Sequence, residues 1–459
     1  MSAHPPPTST PPPAPTRAEA LRFWFKLGCI SFGGPAGQIA LMHEELVERR
    51  RWISERRFLH ALNYCMVLPG PEAQQLATYI GWLLHRAWGG VVAGGLFVLP
   101  SLGLLVALSW LYMAYGQVPA LAGFFYGIKP AVTALVAHAA WRVGTRTLKN
   151  GWLLAIAVAA FVALFALKLP FPLIVLAAAL AGWAGGRWVP QAFAPGAAAG
   201  PGSAGAGTPS AQAALIDDHT PPPPHARFAW PRFGAVLALF LGLWALLLCG
   251  LTLAFGWQGA LTQMGWFFTK AALLTFGGAY AVLPYVFQGA VEQQQWLSAA
   301  QMIDGLALGE TTPGPLIMVV AFVGFVGGWN QALFGADALF LAGAVAACVV
   351  TAFTFLPSFA FILLGGPLIE STHGQLRFTA PLTGITAAVV GVIVNLALFF
   401  AGHVLWPQGW GGAFEAPAAL IGLLAALALF RFKLGVIAVV LGSGVAGMAF
   451  QWARLVWTV

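Results

Sequence analysis

Charge is what this chain has least of. Only 8% of its 459 residues are Asp, Glu, Lys or Arg, and 59% are hydrophobic; a soluble domain carries about 25% charged residues. The mean hydropathy is +0.81. So few charges along long apolar runs exclude an ordinary soluble globule and place the chain in a bilayer. Cysteine is also scarce. Cys29, Cys65, Cys249 and Cys348 lie far apart inside apolar segments, with no CxxC or Cys/His spacing. That excludes a disulfide framework and a zinc site, and leaves the thiols as small hydrophobes. Catalytic signatures are missing too: there is no HExxH, no GxSxG and no paired Asp motif in the apolar segments. An enzyme embedded in the membrane would need such a constellation, and a reductase would need paired thiols or a redox cofactor. The reading is not an enzyme, with no cofactor and no metal. The net charge of +8 does not indicate a nucleic-acid partner. The cations sit in short clusters between apolar runs, as in a protein that fixes its orientation in a lipid bilayer.

What the chain does have is one stretch written twice. Lys26–Pro71 and Lys270–Pro315 align at an offset of 244 without a gap. Phe32-Gly33-Gly34 falls on Phe276-Gly277-Gly278, Glu48 on Glu292, Trp52 on Trp296, Ser54 on Ser298, and Pro69-Gly70-Pro71 on Pro313-Gly314-Pro315. The match continues at an offset of 257, where Leu99-Pro100-Ser101 meets Leu356-Pro357-Ser358 and Gly127-Ile128 meets Gly384-Ile385. Rare residues holding one register mark a duplicated unit.

The organisation follows. Residues 1–16 are a Pro-rich tail, expected to be disordered, without the basic and apolar regions of a signal peptide. Residues 17–190 form the first repeat. Residues 191–230, rich in Ala, Gly and Pro, are expected to be a disordered linker. Residues 231–257 add one transmembrane span, and 258–459 form the second repeat. The loop after the first FGG segment carries Arg49, Arg50, Arg51, Arg56 and Arg57; its mate at 288–301 carries no Lys or Arg. Opposite charge character in one repeated loop predicts opposite faces, hence inverted repeats. Gly33-Gly34-Pro35 and Pro69-Gly70-Pro71 break helices. If the FGG and PGP segments are re-entrant hairpins, nearly all basic loops fall on one side, Lys168 excepted. The expected fold is an all-α polytopic membrane protein with broken helices at the FGG and PGP motifs. It would have nine full spans and four hairpins, the N-terminus cytoplasmic and the C-terminus periplasmic.

Irregular backbone at membrane depth is tolerated only where protein buries it or water wets it, and paired breaks of this kind mark a transporter's centre. Half-helix N-termini expose unpaired N–H groups that favour anions. The candidate binding groups are therefore Lys26, Ser31, Gly33, Gly34 and Gly70, with their mates Lys270, Thr275, Gly277, Gly278 and Gly314. Two cations beside four half-helix ends suit a small, doubly charged oxyanion; the plainer reading has the lysines snorkel to the interface and the glycines pack helices. Glu72 and Glu310 lack acidic mates, which are Leu316 and Met66. Each reads as a proton-coupling carboxylate, or, for Glu72 first of all, as an acid satisfying a helix dipole. His138, with mate Asn395, reads first as a helix–helix hydrogen-bonding residue and second as a proton relay.

FGGP at Phe32–Pro35, the stretch with Glu48, Trp52 and Ser54, PGP at Pro69–Pro71 and the second FGG and PGP pair together resemble the chromate ion transporter (CHR) family in its long, two-domain form. The resemblance covers about 20–188 and 260–457. It implies chromate efflux from the bacterial cytoplasm across the inner membrane, driven by the proton gradient or the membrane potential, and antiparallel halves. It also chooses chromate, because sulfate is a tetrahedral dianion of similar size and the residues alone do not separate them. A carrier or channel for sulfate or a related oxyanion is the rival reading. The oligomeric state is left open, with a homodimer among the arrangements allowed. The second FGG is followed by Ala279 where the first has Pro35, so the halves are not expected to contribute equally.

Overall fold

A computed structural model describes residues 12–32, 34–193, 213–218, 220–221, 223–276, 278–372, 379–409 and 411–457. Every named element among them is helical. In the first half they are α1 (Arg17–Ile30), α2 (Gly34–His43), α3 (Glu55–Val67), α4 (Glu72–Tyr115), α5 (Pro119–Thr147), α6 (Gly151–Phe165), α7 (Phe171–Trp188) and the single turn α8 (Pro190–Phe193). The added span is α9 (Trp230–Phe255). The second half holds α10 (Ala260–Leu273), α11 (Ala279–Phe287), α12 (Ala299–Thr311), α13 (Val319–Asn330), α14 (Leu339–Thr372), α15 (Thr379–Leu405), α16 (Ala416–Phe430) and α17 (Val436–Trp457).

The helices break where the glycines and prolines stand. α1 stops at Ile30 and α2 starts at Gly34; α3 stops at Val67 and α4 starts at Glu72. With 14, 10 and 13 residues, α1 to α3 are each about 15–21 Å long, too short for a hydrocarbon core of about 30 Å. Long α4 is itself folded back. His85 (φ −135°, ψ 31°) and Arg86 (φ 58°, ψ −159°) leave helical geometry, and Gly90 and Gly94 press against Thr78 of the preceding arm. The second half makes the same return through α13 and α14, with a longer connection between them; this is where the offset grows from 244 to 257.

The details repeat as well as the outline. Each copy runs from α2 or α11 into a π-helical turn, Glu44–Arg49 and Gln288–Gln293. Each has a non-glycine residue at φ 52°, Arg51 and Gln295, and each caps the next helix with a serine, Ser54 and Ser298. The second arm of α4 and its mate α14 run antiparallel side by side: Gly94 lies against Phe359, while the Trp110 and Phe340 rings meet 6.2 Å apart. The outer helices are exchanged between halves. Gly127 of α5 packs on Gly447 of α17, and its mate Gly384 of α15 packs on Gly182 of α7.

Among the described residues seven helices are long and apolar enough to cross a membrane: α4, α5, α7, α9, α14, α15 and α17. The expectation was nine full spans. The other two, α6 and α16, are apolar but only 15 residues long. The linker also differs from expectation. Residues 1–11 and 194–212 lie outside the described residues, but Pro15 O accepts from His85 Nε2 and 213–218 forms a strap. Leu215 N–H donates to Arg51 O, Ile216 N–H to Trp52 O, and Ser54 N–H to Ile216 O. The strap is ordered because the five-Arg loop presents unpaired backbone groups at its edge, and Arg57 Nε adds a bond to Asp217 O. Pro-rich composition did not show that an edge was waiting for it.

The exchanged packing makes a direct prediction. A Cβ on Gly384 would stand 2.4 Å from Ala178 O, and one on Gly127 would stand 2.0 Å from Ser443 O. Gly127→Leu and Gly384→Leu are each expected to destabilise by about 1–3 kcal/mol or more, whereas Gly242→Leu on open α9 is neutral. Thermal melting in detergent checks this; equal melting of all three would refute the close approach.

Candidate functional site

The centre is built by exchange. Gly70 N–H donates to Thr275 O at 2.7 Å, and Gly314 N–H donates to Ser31 O at 2.8 Å. These are repeat mates: each PGP loop is held by the FGG segment of the other half. The glycines have φ 127° and 108°, a region that side chains on L residues rarely adopt. Each also faces a serine of the other half. A Cβ on Gly70 would lie 2.5 Å from Ser358 Oγ, and a Cβ on Gly314 would lie 2.5 Å from Ser101 Cβ. Four backbone breaks and two serines thus meet in a reciprocal pair, the pattern that a two-fold relation generates.

Ser101 and Ser358 are fully buried, and neither Oγ has a hydrogen-bond partner among the described residues. A buried hydroxyl left unpaired costs about 1–3 kcal/mol, so two at equivalent positions ask for a ligand or water. Around them, Gln38 Nε2 donates to Ser31 O and Gly314 O, and Gln75 Nε2 donates to Pro69 O. The Oε1 atoms of both glutamines are buried and unpartnered. The half-helices that start here, α4 after Pro71 and α11 after Gly278, have no side-chain cap, so their first N–H groups and dipole ends face the centre uncapped.

The candidate groups divide accordingly. Ser31, Thr275, Gly70 and Gly314 come together, but their donors are engaged. Ser31 Oγ bonds Leu27 O, Thr275 Oγ1 bonds Ala271 O, and the glycine N–H groups are used in the exchange. They build the site rather than offer donors to it. Gly34 and Gly278 stand at the starts of α2 and α11 with φ 70° and 99°; Gly33 and Gly277 lie outside the described residues. Lys26 is exposed and lines a shallow depression with Glu19, Arg22 and Arg50. Lys270 is half-buried, its Nζ 5.6 Å from the centroid of Trp266. The matched lysines are therefore not a pair at the buried centre. The carboxylate of Glu72 has no hydrogen bond or ion pair among the described residues and heads α4, while Glu310 accepts from Tyr280 Oη. His138 stands apart on α5, edge-on to Phe430 of α16 at 5.0 Å.

Two ion pairs, each with a buried carboxylate, flank the centre, and the sequence reading passed over both. Arg57 of α3 meets Glu370 of α14 at 2.5 Å, and Tyr79 Oη donates to the same carboxylate. Lys129 of α5 meets Asp304 of α12 at 3.5 Å, and Tyr112 Oη donates to Asp304 at 2.9 Å. Glu370 lies twelve residues beyond Ser358 on α14, and Tyr112 eleven beyond Ser101 on α4, about 16–18 Å in each case. Because those helices run antiparallel, the pairs lie on opposite sides of the serines. The signal available was a lone Lys and a lone Asp inside the apolar segments 119–141 and 301–328, which is a functional hint at membrane depth. The serines had been noticed only as register marks.

A duplicated, all-helical, multi-pass membrane protein whose broken helices meet at a buried polar centre is the class that fold and site define. The family model for the chromate transporter matches residues 18–183 and 262–448, and the chain belongs to that family. It is 32% identical to a chromate transport protein of Pseudomonas aeruginosa over 96% of this chain and 94% of that one. It is 28% identical to a chromate transport protein of Cupriavidus metallidurans over 92% and 90%, and 27% identical to a probable chromate transport protein of Synechococcus elongatus over 96% and 97%. No solved structure matches the chain.

Gly314→Ala is expected to lower stability by about 2 kcal/mol or more, from positive φ and from contact with Ser101. Adding Ser101→Gly should recover the contact part and leave the φ part. Melting curves of the single and double variants test this; a wild-type midpoint for Gly314→Ala would contradict the exchange geometry.

Proposed function

We propose that this protein is a secondary carrier that exports chromate from the bacterial cytoplasm across the inner membrane, driven by the proton gradient or the membrane potential. The observation that carries the reading is the pair of buried, unpartnered hydroxyls of Ser101 and Ser358 at the crossing of the two exchanged loops. A tetrahedral dianion offers oxygens that such a hydroxyl can donate to, and the uncapped half-helix ends supply positive potential without a fixed buried cation. That suits a carrier, which must also release its cargo. The relatives' names bring chromate as the substrate. Sulfate is the anion the same donors would accept next.

The two halves are inverted in the membrane, with the five-Arg loop cytoplasmic and its Gln-rich mate periplasmic. The positive-inside pattern and the antiparallel pairing of α4 with α14 support this. The N-terminus is then cytoplasmic and the C-terminus periplasmic. Arg57–Glu370 closes the inner side of the site and Lys129–Asp304 the outer side, and export needs them to open in turn. Lys26, Arg22 and Arg50 gather anions at the inner mouth. Glu72, a carboxylate without a partner at the head of α4, is the group best placed to exchange a proton as the anion comes and goes.

The test is chromate uptake into energised everted vesicles, with an uncoupler arm and sulfate as competitor. Wild-type uptake should collapse with the uncoupler, and Ser101→Ala/Ser358→Ala should reduce it at least about 10-fold at equal membrane abundance, the loss of roughly one net hydrogen bond per serine. Undiminished uptake by the double variant would remove the serines from the site. Uptake indifferent to the uncoupler would replace the carrier with a passive pathway.

A further inference from the structure

Apart from the central site, a cavity of about 450 Å³ lies where the linker re-enters the second half. Its lining carries three arginines, Arg86, Arg227 and Arg232. None of them has a carboxylate partner among the described residues; Arg232 bonds only the carbonyl of Pro224. The rest of the lining is largely apolar, with Phe233 and Val236 of α9 and Leu363 of α14 among it. Arg86 reaches the cavity from a backbone at φ 58°, a conformation that is costly for a non-glycine residue and that clusters at functional positions. The linker segment is fixed in place, since the His225 ring bonds Trp82 O at 2.9 Å and packs edge-on against the Trp82 ring.

The aromatics around the cavity support a level where a bilayer changes from headgroups to chains. α9 begins at Trp230, and both Trp230 and Trp88 are exposed beside it, as interfacial aromatics are. Below that level α9 is almost wholly uncovered by protein, so the apolar lining continues onto a helix surface open to acyl chains. Burial, with the positive charge of Arg86 and Arg232 behind it, holds the His225 imidazole below its ordinary pKa. The field that would meet a ligand here is therefore positive and comes from the arginines.

We propose that this cavity is a binding site for the phosphodiester headgroup of an anionic phospholipid, with Arg86, Arg227 and Arg232 on the phosphate and the first part of the chains along α9 and α14. The chemistry needed is a phosphate anion on one side and a hydrocarbon on the other. Basic pockets between membrane helices take anionic headgroups in this way. The ligand would pin the linker, and through it the junction of the two halves, to the membrane surface.

The experiment uses the purified full chain, delipidated in detergent, melted with increasing dioleoylphosphatidylglycerol, dioleoylphosphatidylcholine or inorganic phosphate. Phosphatidylglycerol should raise the melting midpoint of the wild type and of R86K/R227K/R232K. In R86Q/R227Q/R232Q the apparent affinity should fall on the order of 100-fold, as for three lost surface cations. An equal shift in the Gln variant, or an equal shift with phosphatidylcholine, would overturn the site. A full shift with inorganic phosphate alone would overturn the lipid assignment and give the arginines to a soluble anion. Native mass spectrometry of the wild type reads the site without any variant: retained phosphatidylglycerol in preference to phosphatidylcholine supports it, and no preference overturns it.

Discussion

A helix opened inside a membrane leaves backbone groups that lipid cannot satisfy, and this structure depends on how it answers that demand. The two hydrogen bonds from Gly70 to Thr275 and from Gly314 to Ser31 pair the breaks of one half with those of the other. Neither half could do this alone, because each PGP loop finds its acceptor across the pseudo-two-fold relation. The same logic extends outward, with α5 seated on α17 of the other half and α15 on α7. Duplication is thus a structural requirement of this centre. Closing it by exchange leaves two buried serine hydroxyls without a partner among the described residues.

The frame is symmetric, but the chemistry laid on it is not. Arg57 bonds Glu370, and the mates of those residues, Gln301 and Met113, make the same cross-half contact at 3.9 Å without charge. Glu310 and Tyr280 pair in one half, where the other has Met66 and Ala36. Symmetry suits a site that must be met from both sides. Departures from it make the two equivalent contacts unequal in energy, because a buried ion pair costs several kcal/mol to break by removing one partner and a methionine contact costs far less.

Much of the fold was legible because its punctuation is made of rare residues in register. Gly-Gly and Pro-Gly-Pro break helices by local sterics, and local sterics are what a sequence displays best. The helix breaks at the FGG and PGP motifs and the match in both halves follow from that. The site was less legible. Ser31, Thr275, Gly70 and Gly314 were found by their position at the breaks, but that the glycine N–H groups are consumed by exchange, with Ser31 and Thr275 as acceptors, depends on partners 205 and 283 residues away. Lys26 looked central by its distance from Gly33 along the chain. Which side of α1 it occupies depends on the packing of α1 against α4, and that packing turns it outward to Arg22 and Arg50. The strap at 213–218 was hidden for the same reason: its order comes from the edge it meets, not from its own composition.

The account stands or falls on where the anion sits. A structure of the protein in lipid nanodiscs with chromate present tests it most directly. The result expected is tetrahedral density within about 2.7–3.0 Å of Ser101 Oγ or Ser358 Oγ, with Gly70 and Gly314 bonded across the halves. Density in the depression beside Lys26 with the serines unoccupied, or loops bonded within their own half, would contradict it.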